Sequence, residues 1–357
     1  MFYHTEQHWT GATRATVVAA RGLAARGEPV TVVCQSGSAL QQTLSGDSLD
    51  VVAMPADSLF GRDAWRLRAV LKEKFVEVVF LHTEREQLAV SSAMRLAERG
   101  AIIRRIPAGG SVMGNRKAGG RGSASRLLFA TEADRARSAA GDRALLAPLG
   151  VTVVAMPETR AAARADLGIA DETQLIVCAL DRLARSRVNT ALRTLALLAA
   201  RHPELRLVLV GHCVNVDDTR MHAAALGVTT LVRFLGERRD MSAVLAAADV
   251  GWVAAEGDDG AFACLDFMAA GVPIIAERSP LLSSYVPDGI AGVLLPQAEP
   301  SETASAVARF LANEGERVSM GNAGRTRAQR DFSEKAMVDG FVAAAEIAGD
   351  RAQWAIR

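Results

Sequence analysis

The sequence predicts an α/β protein made of two doubly wound, Rossmann-like domains, and three observations carry that reading. Short β-branched apolar runs alternate with Ala/Leu/Arg-rich runs, the alternation restarts near residue 174, and the segment between the two series holds Pro148 and Pro157. Alternation of this kind implies parallel strands covered on both faces by helices. A chain of 357 residues is long enough for two domains with separate cores. Ligands of such sheets bind beyond the carboxyl ends of the strands, so the two domains are expected to face each other across a cleft.

The first series reads as strands over 29–34, 49–54, 76–82, 101–106 and 126–131, with helices over 13–27, 62–74 and 85–100. Only "MFYHTEQHW" precedes the Gly11 loop, so either the opening strand is short, about three residues, or the true start lies upstream. The second series places strands at 174–180, 206–211, 231–236, 249–254, 273–277 and 292–296, with helices at 188–203 and 241–249 among those filling the gaps. The expected division is 1–155, 156–335, and a C-terminal helix over 336–357 packing back on the first domain.

Half the residues are hydrophobic, 23% are charged and the net charge is +1, which excludes a disordered chain or a dedicated nucleic-acid binder. The charge is uneven. Residues 1–150 carry 20 Lys and Arg against 14 Asp and Glu, and the remainder 21 against 26. A basic N-terminal half suits an anionic acceptor or an anionic membrane surface, with ordinary variation across a large surface as the alternative. Cys34, Cys178, Cys213 and Cys264 form no C-x-x-C pair, so neither a zinc site nor a disulfide framework is indicated, and buried thiols in a reducing cytosol fit best. No run of 18 apolar residues and no signal peptide occurs.

One stretch raises a chemical question. "EGDDGAFACLDFMAAGVP" (256–273) opens with Glu256, Asp258 and Asp259 and then turns apolar except for Asp266. Residues 262–270 read as a helix packed on several sides. A carboxylate there needs a partner, either a protein group or a ligand. Asp258 and Asp259 precede that helix, where free N–H groups favour negative charge; capping is their structural alternative.

These residues, together with "LARSRVNTALRTLALLAARHPELRLVLVG" and "YVPDGIAGVLLP", resemble the family-4 retaining glycosyltransferases of the GT-B fold. That family carries two glutamates eight positions apart before a small-residue "AMAxGxPV" stretch; here Asp258 and Asp266 hold the two positions and "FMAAGVPII" follows in register. The resemblance implies that Asp258 contacts donor-sugar hydroxyls, helped by backbone groups of Asp259, Gly260 and Ala261, and that Asp266 accepts from the ribose hydroxyls. It implies that Arg182 and Arg187 meet the diphosphate, in the register of an Arg and a Lys five positions later. Guanidinium groups grip phosphate oxygens bidentately and stabilise a departing diphosphate without a metal. Gly211 and Gly236, closing two strands, fall on the donor side, and base contacts are expected near Phe234 to Glu237.

In the N-terminal half the resemblance is looser, running through "WTGATRATVVAARGLAARGEPVTVV" and the tail of "VEVVFLH". It implies that backbone at Gly11 approaches the phosphates and that His82 touches the donor sugar, with Glu84 beside it. The Gly- and Arg-rich segment 106–126 reads either as an acceptor-side loop or as a solvated connection. Three departures stand out: both acids are Asp rather than Glu, Asp181 replaces the glycine expected before Arg182, and "DDGA" replaces a glycine–aromatic–glycine run.

The expected function is a cytoplasmic, metal-independent retaining glycosyltransferase, able to rest on the inner face of a membrane. It would need no cofactor beyond a nucleotide sugar as donor substrate, and its acceptor is unidentified. The departures motivate a second class, a non-catalytic GT-B-like protein that binds a nucleotide sugar or a partner. A nicotinamide oxidoreductase is disfavoured, since no G-x-G-x-x-G follows any predicted strand.

Overall fold

Residues 1–55, 60–98, 100–110, 124–152, 160–181, 185–211 and 215–354 are described by a computed structural model. In chain order the first elements are β1 (Phe2–His4), α1 (Gly11–Ala25), β2 (Thr31–Gln35), α2 (Ala39–Leu44), β3 (Asp50–Met54), α3 (Phe60–Glu73), β4 (Val78–Leu81), α4 (Glu84–Ala97), β5 (Ala101–Ile106), β6 (Arg126–Phe129), α5 (Glu132–Arg137) and β7 (Ala144–Leu146). A second run comprises α6 (Arg160–Asp166), β8 (Gln174–Leu180), α7 (Arg185–Ala199), β9 (Leu205–Gly211), α8 (Val216–Ala225), β10 (Val232–Gly236), α9 (Ser242–Ala247) and β11 (Val250–Ala254). It continues with α10 (Gly257–Ala270), β12 (Ile274–Glu277), α11 (Pro280–Tyr285), β13 (Gly292–Leu295), α12 (Pro300–Ala312), α13 (Glu314–Asp331) and α14 (Glu334–Trp354).

The chain forms two units. Unit 1 comprises Met1–Gly150 and Glu334–Arg357, and unit 2 is Val151–Ser333. The breaks fall at 150/151 and 333/334, where the sequence pattern predicts 155/156 and 335/336. Val151 explains the shift: its N–H donates to Phe332 O at 2.9 Å, and it pairs with Ser333 in an isolated bridge, so it belongs to unit 2.

Both sheets are wholly parallel. Unit 1 orders its strands β3-β2-β1-β4-β5-β6-β7, and unit 2 orders them β10-β9-β8-β11-β12-β13. In each, the strand order reverses between the first strand and the fourth, and the crevice outside that switch point is where such folds bind ligands. β-branched runs buried on both faces form the strands: β2 and β11 are buried nearly throughout. The helices offer one apolar stripe. On α7, Val188, Ala191, Leu192, Leu195 and Leu198 recur at helical spacing and are all buried in the unit 2 core.

α14 belongs to the core of unit 1. Its Phe341 ring packs 5.1 Å from Phe80 and 6.1 Å from Phe2, beneath β1 and β4. In unit 2, α13 lies against α10, and Arg325 donates to the last carbonyls of α10, at Ala269 (3.3 Å) and Ala270 (2.6 Å). These are groups with no partner inside the helix.

Close backbone contacts of this kind leave no room for a side chain. A Cβ on Gly321 would lie 1.9 Å from Gly271 O, and one on Gly340 would lie 2.8 Å from Ala147 Cα. Gly321→Ala and Gly340→Ala are each expected to lower stability by about 1–3 kcal/mol, the usual cost of overpacking. Urea midpoints at unchanged m-value measure it; two unshifted midpoints would show that these backbones do not approach so closely.

Candidate functional site

At the carboxyl edge of the unit 2 sheet, Arg187 lies beside the start of α10, and Gly211 and Gly236 end β9 and β10. Asp181 directly follows β8, and its Oδ2 accepts the Glu256 N–H at 2.8 Å, joining the end of β8 to the start of α10. The same oxygen receives Arg187 Nη1 at 3.3 Å, while Arg187 Nη2 donates to Glu256 Oε1. Arg187 thus carries two carboxylate partners from different elements. Arg182 lies outside the described residues, as do 111–123 of the Gly- and Arg-rich segment and Cys213.

α10 corrects one expectation. Asp266 is not the buried carboxylate of an all-apolar helix; it is half-buried, whereas Asp258 is only 6% exposed. The helical period explains the exchange. Asp259, Ala263, Asp266 and Ala270 align on one less-covered stripe, and Asp258, Phe262, Leu265 and Ala269 on the buried face. The Asp266 charge is close enough to Cys264 to add to burial in pushing that thiol's pKa up. Ala261 and Gly260 are buried in the same helix, and a Cβ on Gly260 would lie 2.3 Å from Ala255 O.

Gly211 and Gly236 end β9 and β10 with φ of 116° and 67°, in the region that favours glycine. A Cβ on Gly211 would meet Leu180 O at 2.2 Å. Both line a cavity of about 210 Å³ with Leu180, Leu209, Phe234 and Glu237. The cavity therefore opens at the ends of three adjacent strands, one residue from Asp181.

In unit 1, Gly11 is the first residue of α1, which Thr10 caps by accepting the Thr13 N–H. His82 follows β4 and sits in a buried polar cluster. Its Nε2 lies 2.8 Å from Thr16 Oγ1, and its Nδ1 3.5 Å from Arg105 Nη1. Arg105 can only donate, and Thr16 already donates to Ala12 O at 3.0 Å. These partners assign the ring proton to Nε2. The His4 ring meets His82 edge-on at 5.0 Å. Glu84 faces outward, paired with Arg104 at 3.1 Å.

Sequence reasoning missed Glu86. Its carboxylate accepts Thr5 N–H (2.7 Å) and Thr5 Oγ1 (3.0 Å) on one oxygen, and His82 N–H (2.9 Å) and Thr83 N–H (2.8 Å) on the other. Thr83 and Glu86 form a capping box, a T-x-x-E signal present in "TERE". Among the described residues, no group of three His, Cys, Asp or Glu is placed to hold a metal ion, and no helix is long and apolar enough to cross a membrane.

Residues 160–327 match the family model described as glycosyl transferases group 1. The chain is 30% identical over 241 residues to a D-inositol 3-phosphate glycosyltransferase of Geodermatophilus obscurus, covering 62% of this chain and 53% of that protein. It is 28% identical over 203 residues to a GDP-mannose-dependent monoacylated alpha-(1-6)-phosphatidylinositol monomannoside mannosyltransferase of Corynebacterium glutamicum, covering 53% of this chain and 52% of that one. The chain spans about half the length of these curated relatives. Among solved structures it is similar to Anabaena HepE in complex with UDP and glucose, with a TM-score of 0.78 at 16% identity over 97% of this chain and 99% of that one. The two parallel-sheet units have the GT-B fold.

His82 gives the cluster a pH dependence. Burial first, then His4 and Arg105, press its pKa well below the ordinary 6.5. Unfolding frees an imidazole that takes a proton below that value, so the unfolded state binds more protons. The contribution is complete above pH 6.5 and drains away as the pH falls beneath it. His82→Gln is expected to flatten the fall in urea-unfolding stability between about pH 7 and pH 5; parallel profiles for variant and wild type would refute the assignment.

Proposed function

We propose that the chain is a retaining glycosyltransferase that takes a nucleoside diphosphate sugar on unit 2. One observation carries the reading. The switch point between β8 and β11 presents Arg187 beside α10, whose Asp258 and Asp266 stand in the register of the two family acids, inside the stretch matched by the glycosyl transferases group 1 model. Asp266, on the less-covered stripe, suits the ribose hydroxyls; Asp258 and the backbone of Asp259 to Ala261 suit the sugar. The cavity beside Gly211 and Gly236 suits the base. Arg187 meets the charge that develops on the departing diphosphate, chemistry that asks for no metal. On unit 1 the candidates are Gly11 and His82.

GDP-mannose in the name of the Corynebacterium relative and UDP in the HepE complex make GDP- and UDP-hexoses the first donors to try. An inositol phosphate is the first acceptor, after the Geodermatophilus relative. A second reading, binding without turnover, draws on the two carboxylates that already engage Arg187. Donor binding with no release of nucleoside diphosphate in the presence of acceptors would favour it.

Arg187→Ala is expected to lower kcat/KM by about 10²–10³, the usual loss when a donor to transition-state charge is removed. Asp266→Asn is expected to weaken donor binding about tenfold or more, as for a hydrogen bond to a charged acceptor. Release of GDP or UDP and calorimetric affinity are the readouts. Wild-type affinity in Asp266→Asn would remove it from the donor site.

A further inference from the structure

We infer that Glu256 is an internal counter-ion of Arg187 that gives way to the diphosphate of an incoming donor, while Asp181 is the positioning residue that keeps the guanidinium in place. The inference rests on the donor-site reading above and names a competition within it.

The two carboxylates on Arg187 differ in what holds them. The Asp181 side chain is 9% exposed and also accepts the Glu256 N–H, so moving it would break a second hydrogen bond, one that leaves a part-buried backbone donor unpaired. The Glu256 side chain is 71% exposed, and its release returns it to water. Exposed ion pairs of this kind are worth little. Glu256 is the N-cap residue of α10, yet its side chain makes no capping hydrogen bond, so the helix does not depend on where that carboxylate points.

The guanidinium is divided between them. Nη1 serves Asp181 and Nη2 serves Glu256, so departure of Glu256 frees one edge and leaves the other fixed. Two carboxylates face the one Arg187 guanidinium. A diphosphate brings more charge than one carboxylate and can accept from Nη2 in its place. It also meets the repulsion of Glu256 until that side chain swings away. Glu256 therefore lowers donor affinity, and Asp181 raises it by holding Arg187.

The test is calorimetric titration of GDP, UDP and inorganic pyrophosphate into wild type, Glu256→Gln, Glu256→Ala and Asp181→Asn. The Glu256 variants are expected to bind at least one of these anions about two- to fivefold more tightly, in line with the worth of an exposed ion pair. Asp181→Asn is expected to bind about tenfold more weakly. Both effects should vanish in an Arg187→Gln background, a coupling that a purely structural role would not produce. Unchanged or weaker binding in both Glu256 variants, with wild type still binding, overturns the counter-ion and leaves the donor site standing. Binding by none of the proteins overturns both.

Discussion

A parallel sheet has a weak point where its strand order reverses, because the chain leaves two neighbouring strands in opposite directions and backbone N–H groups just past their ends lose the ladder. In both units a carboxylate takes up those groups. Glu86 collects N–H groups of Thr5, beyond β1, and of His82 and Thr83, beyond β4. Asp181, beyond β8, collects that of Glu256, beyond β11. Each carboxylate replaces lost ladder bonds with charge-assisted ones. Each does so at the crevice where the fold presents its ligand site, so the same interaction that closes the sheet sets the geometry of the site.

In unit 2, the consequence is a fixed α10. Asp181 holds its first residues through Glu256, and Arg325 holds its last carbonyls. Along its length Gly251 lets the helix settle on β11, since a Cβ there would lie 2.5 Å from the Phe267 ring. A helix held at both ends and packed this closely keeps Asp258 and Asp266 at set positions without cost at the moment of binding. His82 has a different standing. Its two nitrogens are engaged within unit 1, which accounts for its burial by local chemistry alone.

Most of the architecture was legible in the sequence. The strands of both series lie within a residue or two of where the β-branched runs put them, including a first strand of three residues. Four short elements were not: α2, α5 and α11, of six residues each, and β7, of three. At the site, the register of Asp258 and Asp266 was readable, but which of them is buried was not, because that depends on how α10 is rotated against β11 and α13. In the sequence Asp181 showed only as an acid where the resemblance expects a glycine. Two of its partners lie 6 and 75 residues away, and the second is a backbone group that no side-chain pattern announces. Glu86 was within reach through its capping box; its bond to Thr5, 81 residues back, was not.

The route of the chain sets an order of events at the ribosome. Unit 2 is one continuous segment, but unit 1 is assembled from residues 1–150 and from α14, which is made after unit 2. Phe341 fills the space under Phe2 and Phe80, so until α14 emerges the opening half of the chain exposes an aromatic surface to solvent. Domains fold as units during synthesis. The segment made second can therefore complete its core first, while the earlier segment waits. The interval is the time needed to translate unit 2 and α14.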